Sequence, residues 1–363
     1  MIGEYCLNIL IIGAGAVGTF VGARLALAGH DVTLVGRPGL AAAVRSGGLT
    51  LIEPSGSRHT TSVRAVDSLA AAFTRSASTS ASTSPYDLAL ITVKAYDTAG
   101  VIAELRAVDA GQLPPLLTLQ NGVGNEEALV EAFGADRIVS GAIDTPVSVP
   151  APGQVQVHRE RFKAGVAPVG QGAPAAQAAG LLRDAGFTVD SFADYRSLKW
   201  SKLLMNLLAN AQCAILDWTP ARVMADPTAS RLEALAWQEA FAVMAALRIR
   251  PVAMAGYPLP LLAPFVRGLP AVWLARGLRR FVSGGRGSKM PSLHVALTAG
   301  KRSEVGWLNG AVAHYGQAAS VPTPVNRALT GVLTALTSGE DRREEWRALP
   351  EAIAILAKST PKV

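Results

Sequence analysis

An α/β domain followed by an all-helical domain is the fold class that three features of the sequence predict. The first is Cys6-Leu-Asn-Ile-Leu-Ile-Ile-Gly13-Ala14-Gly15-Ala16-Val17-Gly18, an apolar run ending in G-x-G-x-x-G and continuing into an Ala/Leu-rich helical pattern. The second is a first half in which short β-rich runs alternate with helical patterns, as a doubly wound parallel sheet requires. The third is the loss of β signal from about Asp194, after which only helical patterns follow. With 363 residues, the chain exceeds what one core comfortably holds. Residues 1–193 are therefore expected to form a Rossmann-type unit and 194–363 a helical one.

Each glycine of the opening motif has a physical task. Gly13 permits the tight turn, Gly15 lets the backbone approach a pyrophosphate, and Gly18 allows close helix–strand packing. The first helical turn then offers N–H groups and a positive dipole end to phosphates. The second strand, Val32–Val35, is followed by Gly36-Arg37 rather than by the Asp or Glu that holds a ribose 2′-hydroxyl. A guanidinium there suits a 2′-phosphate, so NADP (NADPH) is expected in preference to NAD.

Helix Ala41–Ser46 and strand Leu49–Ile52 come next. The Thr74–Pro85 run, rich in Ser and Thr, is too polar to pack and is expected to be a surface loop. Strand Asp87–Val93 ends at Lys94, and strand Leu116–Gln120 ends at Asn121-Gly122-Val-Gly124. Ligands of open α/β sheets bind beyond the carboxyl ends of strands, which places Lys94 and Asn121 near a bound dinucleotide.

The second half reads as helices Arg196–Leu216, Pro227–Leu247 and Ser303–Ala318, with a broken Pro/Gly-rich apolar region over Pro251–Gly287. Asp226-Pro227 is a cap followed by a first-turn proline. Lys202, Asn206 and Asn210 recur at i, i+4 and i+8 on an otherwise apolar helix, one polar stripe. Such a stripe either faces solvent or lines a substrate cleft between the two halves. In a cleft the lysine can protonate the alkoxide left by hydride attack and the amides can hold a small polar substrate. Lys199, one turn away, competes for the acid role. Glu304 reads as a first-turn acid of the helix beginning at Ser303, and Ser292 as a turn or capping residue.

Composition bounds the rest. No apolar run approaches the ~18–20 residues that span a bilayer. The first residues carry no signal-peptide pattern. Two distant cysteines, Cys6 and Cys213, fit a reducing compartment. A cytoplasmic enzyme without metal is expected. The net charge of +7 suits anionic ligands, and without interleaved basic and aromatic residues it does not indicate nucleic acid. Neither a nucleic-acid nor a membrane partner is expected, and a homodimer is left open.

The chain resembles the ketopantoate reductase (2-dehydropantoate 2-reductase) family over most of its length. The resemblance rests on Gly13–Gly18, Val93-Lys94-Ala, Gln120–Gly124, Lys199-Trp200-Ser-Lys202-Leu-Leu-Met-Asn206-Leu-Leu-Ala-Asn210, Pro291-Ser292, Ser303-Glu304 and Trp307–Val312. It implies Lys202 as general acid and Asn206, Asn210 and Ser292 as substrate-binding residues. Glu304 would contact cofactor or substrate and help set the lysine, while Arg37, Lys94 and Asn121 would bind cofactor. The implied reaction is NADPH-dependent reduction of 2-dehydropantoate to (R)-pantoate, toward pantothenate and coenzyme A. Two acids usual in the family are absent, with Ala296 and Gly306 in their places. The alternatives are a reductase of another 2-keto acid, an opine-type dehydrogenase, and a catalytically idle NADP-binding sensor.

Overall fold

The computed structural model describes residues 6–74, 84–254, 256–283 and 289–359. The chain divides into two compact units, one of residues 1–120 and 125–198 and another of 121–124 and 199–363.

The first unit is built on an eight-stranded sheet. Its strands are β1 (Asn8–Ile12), β2 (Asp31–Val35), β5 (Arg64–Val66), β6 (Leu88–Ile91), β7 (Leu116–Thr118), β8 (Ile138–Ile143), β11 (Phe162–Pro168) and β12 (Phe187–Ser191). Their order is β12-β11-β8-β7-β6-β1-β2-β5. All neighbouring pairs are parallel except β8 with β11. The central strands are apolar on both faces because helices cover both, so they read as continuous Ile/Leu runs rather than alternating ones. A second sheet was not foreseen. Strands β3 (Leu49–Ile52), β4 (Arg58–Thr61), β9 (Val147–Ser148) and β10 (Gln154–Val157) pair in the order β4-β3-β10-β9. Strand β4 is Arg-His-Thr-Thr and mostly exposed, without the apolar alternation that announces a strand. The Thr/Ser-rich surface loop expected over 74–85 falls mostly outside the described residues.

The second unit is helical, and its core gathers Trp200, Leu203, Trp237, Phe241, Val312 and Leu333 among others. The longest helix, Pro227–Ala246, begins as the sequence indicates, with the Asp226 carboxylate accepting the Ala229 N–H at 2.8 Å. Two expectations need correction. The helix expected over Arg196–Leu216 is two, Tyr195–Leu207 and Ala211–Leu216, broken where Ala209 takes φ +53°. The buried Glu233 carboxylate stabilises the break, accepting the Ala209 N–H at 2.8 Å and the Gln212 Nε2 at 2.7 Å. The helix expected from Ser303 starts at Asn309, after a short 3₁₀ turn at Val305–Trp307. The broken region over Pro251–Gly287 contains two helices, Leu259–Gly268 and Ala271–Ser283. No helix among the described residues is long and apolar enough to cross a membrane.

Candidate functional site

In the first unit, the turn after β1 is shaped by its glycines. Gly13 has φ +101°, and a Cβ there would stand 2.5 Å from Val93 Cγ1 and 2.6 Å from the Val93 nitrogen. A Cβ on Gly18 would stand 2.4 Å from the Gly13 oxygen. Thr92 Oγ1 donates to the Gly13 carbonyl at 2.8 Å, fixing this turn to the neighbouring strand's end. Gly15 differs, because nothing lies within 4 Å of where its Cβ would be. Its extended backbone precedes helix Ala16–Leu27, whose first turn has no side-chain cap. Open space beside uncapped N–H groups of Ala16 and Val17 is what a pyrophosphate needs. The dinucleotide therefore fits the residues present.

Strand β2 runs into Gly36-Arg37. Arg37 is exposed and lies immediately before helix Pro38–Gly47, which its side chain does not cap. No carboxylate stands at this position to repel a 2′-phosphate. Lys94 is exposed at the carboxyl side of β6, just before a 3₁₀ turn. Sequence reading passed over the polar relay beneath these loops. Gln120 Nε2 donates to the Val93 carbonyl at 3.1 Å and to Thr98 Oγ1 at 2.8 Å, and Thr98 Oγ1 donates to Asn125 Oδ1 at 3.2 Å. The relay ties the segments after β6 and β7 together. Gln120 stands in the Gln-Asn-Gly motif, which was the available signal. Tyr195, on the same unit, has its phenol pushed well above the usual range, first by burial and then by the negative charges of Glu127 and Glu126.

In the second unit, Lys202 and Asn206 share one face of helix Tyr195–Leu207, one turn apart. Lys202 is only 6% exposed and Lys199 3%, so burial alone does not choose between them. Asn206 is half-buried, and its Nδ2 donates to Asn121 Oδ1 at 3.2 Å. The Asn121–Gly124 loop is further held by Trp307, whose carbonyl accepts the Val123 N–H at 3.2 Å. A Cβ on Gly122 (φ +84°) would come within 2.5 Å of that same carbonyl.

Because of the break, Asn210 does not continue the stripe on the same helix. It precedes helix Ala211–Leu216, its Nδ2 donates to the Asn206 carbonyl at 3.0 Å, and its Oδ1 accepts the Leu293 N–H at 3.2 Å. This amide braces backbone, joining the break to the start of helix Ser292–Thr298. Ser292 is exposed and is that helix's first residue, with no side-chain cap at its start. The same helix is held by His294, whose Nε2 lies 2.8 Å from Asp217 Oδ1. Asp217 also meets Arg343 at 3.1 Å and Arg347 at 2.9 Å. The His294 hydrogen bond, then the two guanidiniums, draw the Asp217 carboxyl below its ordinary range despite some burial.

Glu304 is buried and precedes the 3₁₀ turn, its carbonyl accepting the Trp307 N–H at 3.0 Å. It is not a first-turn acid of the following helix, so a helix-dipole role does not account for it. No group of three or more His, Cys, Asp or Glu suited to a metal ion occurs among the described residues.

Comparison with known proteins follows the same two-part division. The model described as ketopantoate reductase PanE/ApbA matches residues 9–168, and that described as ketopantoate reductase PanE/ApbA C terminal matches 194–337. A 2-dehydropantoate 2-reductase of Archaeoglobus fulgidus is 29% identical over 337 residues, covering 92% of this chain and 98% of that protein. The PanE/ApbA family ketopantoate reductase structure from Ralstonia eutropha JMP134 superposes with a TM-score of 0.74 at 26% identity, covering 92% of this chain and 99% of its own. A ternary structure of D-mandelate dehydrogenase with NADH and anilino(oxo)acetate has the same TM-score at 21% identity, covering 92% and 99%, a likeness of fold.

Proposed function

The chain belongs to the ketopantoate reductase family, and we propose that it reduces the 2-keto group of 2-dehydropantoate with NADPH, giving (R)-pantoate toward pantothenate and coenzyme A. The observation that carries the chemistry is a buried Lys202 one turn from Asn206 on a single helix face. NADPH, when bound, supplies the hydride that the carbonyl carbon accepts. The residues proposed to hold it are the Gly13-Ala14-Gly15-Ala16-Val17-Gly18 turn for the pyrophosphate, Arg37 for the 2′-phosphate, and Lys94, Asn121 and Glu304. In this assignment residues 1–193 form the nucleotide-binding domain and 194–363 the substrate domain.

The Lys202 ammonium polarises the 2-keto oxygen and passes its Nζ proton to the alkoxide as it forms; water restores the proton afterwards. Asn206 and Ser292 hold the substrate's hydroxyl and carboxylate groups. Asn210 serves that same end by keeping the Ser292 helix in place. In this assignment Glu304 also helps set the lysine, the role that the family resemblance implies for it. The two cysteines and the biosynthetic role agree with a cytoplasmic enzyme, and a homodimer is compatible with the assignment.

A second reading, reduction of a less polar 2-keto acid, is favoured by Ala296 and Gly306, which leave two uncharged positions where carboxylates are usual. NADPH oxidation measured with 2-dehydropantoate and with other branched 2-keto acids separates the two. The highest kcat/KM is expected for 2-dehydropantoate. A clear preference for an acid lacking the hydroxyl would establish the second reading, and no turnover with any would leave an idle NADP-binding protein.

A further inference from the structure

Helix Leu259–Gly268 is apolar on both sides. Leu259, Ala263 and Val266 face the core of the helical unit, while Leu261 and Phe265 stand 71% and 62% exposed. Exposed Leu269 follows, and helix Ala271–Ser283 adds exposed Val272 and Trp273, the latter 59% exposed, while Leu274, Ala275 and Leu278 are buried. Single exposed apolar side chains are ordinary. Five large ones within residues 261–273, on and between two helices consecutive in sequence that both pack on helix Pro227–Ala246, are an apolar density that calls for a partner.

The charge along this stretch of sequence has one sign. Residues 240–303 contain ten Lys or Arg and no Asp or Glu, more than the +7 excess of the whole chain. Arg267, Arg276 and Arg279 are exposed on the same two helices. The Arg276 guanidinium lies 4.5 Å from the centre of the Trp273 ring, an amphipathic pairing with charge and aromatic face together.

Those two properties select the occupant. A second copy in two-fold contact would set this cationic face against itself, which is unfavourable. An anionic bilayer surface satisfies both requirements, taking Trp, Phe and Leu at the acyl boundary and arginines at the headgroups. At 10 and 13 residues the helices are too short to span, so the contact lies on the surface. We propose that helices Leu259–Gly268 and Ala271–Ser283 form a docking face for anionic membranes, anchored by Phe265 and Trp273. This replaces the sequence-level expectation of no membrane partner and is independent of the reaction assigned above.

The full-length protein is tested by co-sedimentation with vesicles of phosphatidylcholine alone and of phosphatidylcholine mixed equally with phosphatidylglycerol. Binding to the mixed vesicles is expected to exceed that to phosphatidylcholine by about tenfold or more and to weaken as salt rises. The Phe265→Ser/Trp273→Ser double variant should lose most of this binding while keeping its melting temperature and turnover, because both side chains are exposed. Arg276→Glu/Arg279→Glu should lose the preference for the anionic mixture. Absence of binding to the mixed vesicles, or binding indifferent to all four substitutions, overturns the proposal. So does a dimer in sedimentation velocity that the Phe265→Ser/Trp273→Ser variant dissociates, or binding to an acidic polypeptide with none to vesicles.

Discussion

Asn206 and Asn121, 85 positions apart, are joined through their side chains, Nδ2 to Oδ1 at 3.2 Å. One was expected at the substrate and the other at the cofactor, and the hydrogen bond makes them one polar unit. A neutral side-chain hydrogen bond is worth about 0.5–1.5 kcal/mol net, enough for the two residues to fail additivity. In kcat/KM for the keto acid, Asn206→Ala and Asn121→Ala should each be impaired. The double variant should be impaired by less than the product of the two, with a coupling of about 0.5–1.5 kcal/mol. Strict additivity would show that the pair does not act together.

Gly13 and Gly15 should respond oppositely to alanine. Gly13→Ala drives a Cβ into Val93 at φ +101° and is expected to lower the melting temperature strongly. Gly15→Ala meets nothing within 4 Å and has an ordinary negative φ, so it should melt like the wild type. Its methyl group would stand in the space proposed for the pyrophosphate, and NADPH affinity should fall about tenfold or more. Calorimetry and fluorescence titration of both variants check this; unchanged NADPH affinity in Gly15→Ala would remove that glycine from the nucleotide site.

Cofactor choice turns on Arg37. A charge-assisted hydrogen bond contributes roughly 1.5–3 kcal/mol, or about ten- to a hundredfold in affinity. The wild type should prefer NADPH by such a factor, the preference should shrink in Arg37→Ala, and NADH use should barely move. Exposure of Arg37 implies weakening at high salt. Equal wild-type use of NADH and NADPH would remove the 2′-phosphate role.

Glu239 makes stability depend on pH. Its carboxylate accepts the Val325 and Asn326 N–H groups at 2.9 Å each and Asn326 Nδ2 at 2.7 Å. Burial nevertheless pushes its pKa up to about 7, outweighing those donors and Arg327. The unfolded carboxyl titrates near 4.5, so between these values the folded protein binds more protons than the unfolded chain. Stability from this group is fully present below the lower value and is lost as pH rises through about 7. The melting temperature should decline between about pH 5 and pH 8. Glu239→Gln should flatten that slope while lowering the plateau, since an amide turns one donor toward backbone N–H groups. An unchanged slope in the variant would assign the pH dependence elsewhere.

What the sequence disclosed and what it hid follow from the range of the forces involved. The Gly13–Gly18 turn and the Asp226 cap are dictated by neighbouring residues, and both were legible. The break at Ala209 depends on Glu233, 24 positions away, so a continuous i, i+4, i+8 stripe was the natural misreading. Asn210 consequently turned out to brace backbone rather than extend the stripe. Glu304 was misplaced for a related reason: the 3₁₀ turn before Asn309 leaves no trace in apolar spacing. Strand β4 was invisible because pairing with β3, not its own exposed polar residues, defines it.

The central claim, a keto-acid reduction in which Lys202 supplies the proton, is tested most directly by the rate of NADPH oxidation with 2-dehydropantoate in Lys202→Ala against wild type. A positioned general acid contributes about 10²–10⁴-fold, so turnover should fall by that factor. NADPH binding should stay intact, since the residues assigned to the nucleotide do not include this lysine. Near-wild-type turnover in Lys202→Ala, with the loss appearing in Lys199→Ala instead, would contradict the assignment.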